Sequence, residues 1–439
     1  MRPVNQPHSS ELVRAIGRWS LVALVLNSII GSGIFGLPAV VTKLVGGASP
    51  MAYLVAAAGI GFIMVSFAEV SSRFSEAGGP YLYAREAFGG VIGIQIGWLT
   101  WLVRLAASAA NANLFVIYLG EFWSPATGRL PRLAVLTLLV GFLAAVNYRG
   151  VRAGAQISNV FVIAKLVPLA VFIGIGLFFF RSDALTVSSS ASTDDWLEAV
   201  LVLVYAYGGF EGALLPMAEA KNPKRDAPFA LLTALVVVTI LYTLIQIIVI
   251  GVLPMTEVTD RPLAAAARQF MGSSGAIMIT VGALVSVYGY LSSMMLNVPR
   301  LTFALAERGE FPPFFARIHR RFRTPHLSIL GFALLFWMLA VYGDFRWNVT
   351  LSVIARVFTY ASTCAALIVF RKKQPGGAAF RVPGGSLFAL FGVAFSAVVA
   401  TRMGRGEVLI LAVTAALALA TWVWAKRRSR QEAVLVSDR

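Results

Sequence analysis

The feature that most constrains this chain is a series of twelve apolar runs near 19–44, 50–72, 90–119, 131–147, 153–180, 196–220, 227–253, 274–299, 326–343, 348–370, 386–402 and 407–425. They hold 17 to 30 residues, enough to cross a bilayer as a helix at about 20 residues per span. Lipid offers the backbone no hydrogen-bond partners, so such runs predict an all-α bundle of twelve transmembrane helices. Hydrophobic residues make up 58% of the 439 positions and charged ones 13%, a balance no ordinary soluble domain has. The first apolar run is too long, and too closely followed by further spans, to read as a cleaved signal peptide, and the polar stretch 1–18 reads as a short cytoplasmic tail. One cysteine, Cys364, excludes an internal disulfide framework, and the three histidines, His8, His319 and His326, lie outside the runs. Neither a metal site nor a cofactor is expected within the spans.

A net charge of +17 would suit a nucleic-acid binder, but the basic residues gather in alternate loops. With the N-terminus inside, 25 of the 37 Lys and Arg fall on the inner side, among them Arg73, Arg85, Lys221, Lys224, Arg225, Arg300 to Arg323 and Lys426 to Arg428, against 9 outside. This is the positive-inside asymmetry; it puts both termini in the cytoplasm and removes the need for a nucleic-acid partner. The loop "RIHRRFRTP" and the tail "KRRSR" then serve topology and meet anionic lipid heads. The domain plan is one membrane domain over 19–425, with tails at 1–18 and 426–439. Three cations, Arg104, Lys165 and Arg356, lie inside spans, where charge is costly and faces a cavity or a partner.

Two spans are interrupted. "NSIIGSGIFGLP" places Gly31, Gly33, Gly36 and Pro38 in the first, and "YAYGGFEGALLP" places Gly208, Gly209, Gly212 and Pro216 in the sixth. Glycine and proline weaken helices, and taken singly each break is as well explained by close helix contact. Five spans apart, they head two blocks of opposite orientation, about 19–180 and 196–370, with extra helices over about 386–425. Paired breaks in inverted halves point to a carrier with a midplane site.

"GSGIFGLPA", "EAGGPYLYAREAFG", "GGFEG" followed by "EAKNPKRDAP", and "PRLTFALAERGEFPP" together resemble the amino acid/polyamine/organocation superfamily of permeases over roughly the first 375 residues. The resemblance implies a five-plus-five inverted repeat with discontinuous helices 1 and 6, and a small-molecule amino acid as substrate. It assigns the substrate carboxylate to the backbone of Gly31, Ser32 and Gly33, and the amino group to the carbonyls of Ile29, Tyr205 and Gly208. The physical reason is that a broken helix exposes N–H groups at a positive dipole end and carbonyls at a negative one. Tyr205 and Tyr207 are candidate aromatic gates, though Tyr207 is equally well explained by ordinary helix contact.

In sodium-coupled members of that superfamily a cation sits between helices 1, 5 and 8; in several others a lysine matching Lys165 replaces it. A buried lysine can exchange a proton, so Lys165 is the expected coupling residue, by proton symport or, without it, by exchange. Glu211, directly after the second break, is the expected acidic partner in coupling. Arg104 departs from the superfamily pattern. It is either a clamp for an acidic substrate side chain or, the favoured reading, an internal partner for Glu211, with Ser108 one turn away lining the same pocket. Arg356 is expected to be a structural or gate residue. The rivals are a polyamine or organocation carrier, disfavoured by the excess of intramembrane cations, and a transport-inactive sensor or assembly subunit. No nucleophile and base pair or phosphate loop marks an enzyme. The amino acid carried and the oligomeric state are not legible.

Overall fold

The computed structural model describes residues 16–76, 78–150, 155–181, 191–214, 217–254, 259–307 and 309–437. These form helices α1 (Arg18–Ile29), α2 (Ser32–Val45), α3 (Ser49–Ser71), α4 (Gly79–Phe88), α5 (Gly90–Leu119), α6 (Arg129–Arg149), α7 (Ala155–Gly176), α8 (Thr193–Tyr207) and α9 (Phe210–Ala213). They continue with α10 (Pro223–Val252), α11 (Pro262–Glu307), α12 (His326–Tyr342), α13 (Phe345–Lys373), α14 (Gly385–Ala400) and α15 (Arg405–Ser437). Among the described residues there is no strand, only an isolated parallel bridge between Ile16 and Ala220. Seven helical stretches are long and apolar enough to cross a membrane, and four shorter apolar helices accompany them. Every apolar run of the sequence falls on one helix or on a helix pair.

Two of the runs are split. The first yields α1 and α2, parted at Ile30 and Gly31, whose backbones leave the helical region. The sixth yields α8 and α9, parted at Gly208 and Gly209. The breaks are narrower than the glycine and proline content implies. Gly33, Gly36 and Pro38 lie inside α2, and Gly212 lies inside α9; Pro216 lies outside the described residues. The helix-internal glycines serve close approach: a Cβ on Gly33 would stand 2.8 Å from the Ala206 Cα, and one on Gly36 would stand 2.7 Å from the Phe345 ring. The small-residue reading therefore holds for these positions, and the broken-helix reading for Gly31, Gly208 and Gly209.

α1 packs on α9 and α2 on α8, so the two split helices run in opposite senses side by side. Around them stand α3, α5, α10, α11 and α13, with α5 against α13 and α3 against α10. Tyr53, Phe67, Tyr118, Phe210, Tyr242 and Tyr360 are fully buried there. The outer helices α6, α12, α14 and α15 expose Leu138, Leu334, Leu390 and Leu409, the apolar exterior that lipid contact requires. α11 contains one reversal, at Gly272 with φ 64°, where only glycine is at ease.

Candidate substrate site

α8 begins on a capping box in which the Ser192 hydroxyl accepts from the Asp195 N–H and the Asp195 carboxylate accepts from the Ser192 N–H. It ends at Gly208, and Gly209 takes φ 109°. A side chain at Gly209 would also strike the Ser28 carbonyl. Glycine is thus demanded twice there, once by backbone conformation and once by the approach of α1. α2 starts on Gly31 with neither a side-chain cap nor an acidic residue in its first turn. Its first N–H groups carry the positive end of the half-helix dipole and are open to an anion.

The breaks meet at a polar cavity bordered by Ile29, Gly31 and Gly208, by Asn111 from α5, by Tyr290 from α11 and by Arg356 from α13. Its volume is about 20 Å³, room for a water and not for an amino acid. Tyr205 borders it as well. Its hydroxyl lies 2.8 Å from the Ser32 hydroxyl and accepts from the Asn111 amide at 3.0 Å. The tyrosine therefore holds polar groups at the start of α2 that a carboxylate would otherwise engage. Gly31 faces this space: a Cβ there would find nothing closer than 3.9 Å.

Lys165 reaches from α7 to the end of α1, where its ammonium donates to the Ile30 carbonyl at 2.8 Å and to the Asn27 carbonyl at 3.1 Å. These carbonyls face a cation because α1 stops at Ile29 and no further helical turn claims them. The other carbonyls are partly engaged. The Ile29 carbonyl accepts from the Tyr242 hydroxyl at 3.4 Å. The Tyr205 carbonyl accepts from the Gly208 N–H at 3.1 Å and from the Arg356 guanidinium at 3.5 Å. A protein cation thus stands at one of the carbonyls assigned to the substrate amino group.

The charges are arranged differently from the expected Arg104–Glu211 pair. Glu211 forms its ion pair with Arg356, Nε to Oε1 at 3.3 Å. Its other oxygen accepts from the Gly209 N–H and the Tyr360 hydroxyl, both at 3.0 Å. Gly208 makes room for this, since a side chain at that position would overlap the Arg356 guanidinium. Glu211 and Arg356 thereby hold the second break open from opposite sides. Among the described residues Arg104 has no carboxylate within ion-pair distance; its guanidinium donates to the Met294 sulfur at 3.8 Å. Arg104 and Ser108 lie on the α5 face that carries Asn111 but do not border the cavity. Tyr207 does not border it, donating to the Tyr53 carbonyl at 3.2 Å and lying tilted against the Tyr242 ring, the ordinary helix contact that is its other reading. Asn111, Tyr290, Tyr242 and Tyr360 were not singled out from sequence. For Asn111 the signal was available, an amide inside an apolar span; the tyrosines are indistinguishable from ordinary aromatic core until the fold places them. Among the described residues, no group of three or more His, Cys, Asp or Glu is placed to hold a metal.

A helical membrane bundle whose two antiparallel split helices meet at a buried polar cavity defines a solute carrier. The chain belongs to the amino acid permease family, whose model matches residues 16–428; it is a multi-pass membrane transporter and not an enzyme. It is similar to the serine/threonine exchanger SteT of Bacillus subtilis (strain 168), 28% identical over 375 residues that cover 83% of this chain and 85% of that one. It is also similar to the methylthioribose transporter of the same organism, 26% identical over 86% of each chain. An arginine/agmatine antiporter of Chlamydia caviae is 28% identical over 95% of this chain and 91% of its own. Amino acid transport is the activity that family membership supports.

Proposed function

We propose that the protein is a sodium-independent secondary carrier of amino acids in the cytoplasmic membrane, working by alternating access as a proton symporter or an exchanger. The layout is twelve spans in a five-plus-five inverted repeat, 19–180 and 196–370, followed by two further helices over 386–425, with both termini cytoplasmic. The substrate carboxylate meets the N–H groups of Gly31, Ser32 and Gly33 once the Tyr205 hydroxyl withdraws from Ser32. The amino group meets the carbonyls of Ile29, Tyr205 and Gly208. Tyr205 is the gate, exchanging its hydrogen bonds for those of the ligand.

The observation that carries the sodium-independent reading is the Lys165 ammonium on the Ile30 and Asn27 carbonyls. A cation bound by freed carbonyls of helix 1 does there what a sodium ion would do, without being lost to solution. A polyamine substrate is disfavoured, because Arg104, Lys165 and Arg356 stand against Glu211 alone around the breaks. Uptake of a panel of labelled amino acids into proteoliposomes, with choline replacing sodium and with or without an inward proton gradient, tests the reading. Expected is uptake that survives sodium removal and is raised by the proton gradient or by amino acid loaded inside, and that is largely lost in Lys165→Ala. Uptake that requires sodium overturns the role of Lys165, and no uptake of any amino acid favours the transport-inactive subunit.

A further inference from the structure

One face of α5 carries Arg104, Ser108 and Asn111, spaced so that they stack along the helix. Asn111 and Ala107 border the cavity, and Ser108 and Arg104 extend the same face toward the start of α5. Each of the three holds a buried polar atom with no hydrogen-bond partner among the described residues: Nε of Arg104, Oγ of Ser108 and Oδ1 of Asn111. Arg104 is 7% exposed and Ser108 0%. A row of unmatched polar groups leading away from a ligand cavity is costly in lipid unless a ligand completes it.

The guanidinium of Arg104 lies over the bare backbone of Gly212, where a Cβ would stand 3.5 and 3.6 Å from its two terminal nitrogens. Gly212 is the third residue of α9, so the guanidinium lies within about one helical turn of the break proposed to hold the ligand's backbone groups. That is the reach of a short extended side chain. Glu211 acts on Arg104 only from beyond ion-pair distance, its direct contacts being given to Arg356, the Gly209 N–H and Tyr360. Arg104, Lys165 and Arg356 together exceed Glu211 by two positive charges, and a zwitterion bound at the breaks changes that balance by nothing.

We infer that the substrate is an amino acid with an anionic side chain, whose carboxylate is taken by the Arg104 guanidinium with Ser108 donating beside it. The inference rests on the amino acid carrier reading above. A carboxylate matches the planar fork of arginine and supplies the charge the site lacks. A cationic side chain would meet that guanidinium directly, and a neutral one would leave it unpaired. Arg104 is then the residue that sets specificity.

The test is kcat/KM for glutamate, aspartate, serine and arginine in proteoliposomes of the wild type, Arg104→Ala and Arg104→Lys. Expected is a wild-type preference for glutamate or aspartate over serine. The ratio of kcat/KM for the acidic substrate to that for serine should fall about 100-fold in Arg104→Ala and about tenfold in Arg104→Lys, as loss or weakening of a charge-assisted hydrogen-bond pair implies. Wild-type uptake of serine or arginine with no preference for acidic substrates overturns the inference while leaving the carrier reading intact. So does an equal fall for all substrates in Arg104→Lys, which would mark a structural cation. Absence of uptake for every amino acid sinks the carrier reading itself. Stabilisation of the detergent-solubilised wild type by glutamate but not by serine is the corresponding binding result, and gives an answer should Arg104→Ala fail to fold.

Discussion

At the scale of single residues, the glycines of the first break divide into two kinds that the sequence presents as one. Gly31 and Gly33 both border the cavity, but Gly31 has open space beyond its Cα, whereas Gly33 also touches the Ala206 backbone. Gly31→Ala is therefore expected to fold with an unchanged melting temperature while uptake falls about tenfold, because a methyl group stands between ligand and backbone. Gly33→Ala is expected to lose about 1–3 kcal/mol of stability from the collision with α8. Thermal unfolding in detergent alongside uptake separates the two; equal stabilities, or loss of uptake only in Gly33→Ala, would reverse the assignment. The same distinction shows what residues alone conveyed. That Lys165, Arg104, Arg356 and Glu211 were costly inside spans was legible from their position. Which carboxylate met which cation was not, because Arg104, Glu211 and Arg356 lie far apart in sequence and their pairing depends on side-chain geometry across three helices.

At the scale of elements, α1 is a half-span of 12 residues that depends on its neighbours to stay in place. Its start is tied down by the Ile16 N–H to the Glu219 carbonyl at 3.1 Å and by the Lys221 N–H to the Ile16 carbonyl at 2.9 Å. The Arg18 guanidinium adds an ion pair to Asp226 at 2.9 Å and lies over the Phe229 ring. Asp226 is buried while Arg18 is half exposed, so the pair contributes about 1 kcal/mol. Arg18→Ala is expected to free α1 and to raise, about fivefold, the rate at which a membrane-permeant thiol reagent labels Ser28→Cys at the cavity. An unchanged rate would mean that the backbone bridge at Ile16 alone holds the element. The existence of these helices was legible from the apolar runs. The reversal at Gly272 inside α11 was not, since a single glycine in a helical pattern does not announce its φ.

At the scale of the whole molecule, the distribution of Lys and Arg makes a claim about orientation that labelling can check. Cys364 is fully buried, so the wild-type protein is a quiet background for an impermeant maleimide. Lys372→Cys, at the end of α13 that the charge pattern puts inside, is expected to stay unlabelled in intact cells, and Arg129→Cys, at the start of α6 that it puts outside, to be labelled; the opposite pattern would invert the topology. The sequence by itself determined that the chain enters the membrane, where its apolar helices lie, and that the first and sixth apolar runs are interrupted. It could do so because hydrophobic length and glycine content are local properties, readable one segment at a time. Only the tertiary structure decided which glycines open the backbone and which admit a neighbouring helix, that Tyr205 and not Tyr207 borders the cavity, and that Glu211 is ion-paired to Arg356 while Arg104 has no ion pair among the described residues. Those outcomes depend on which faces of distant helices meet, and in a bundle buried on nearly every side the apolar pattern does not encode a preferred face.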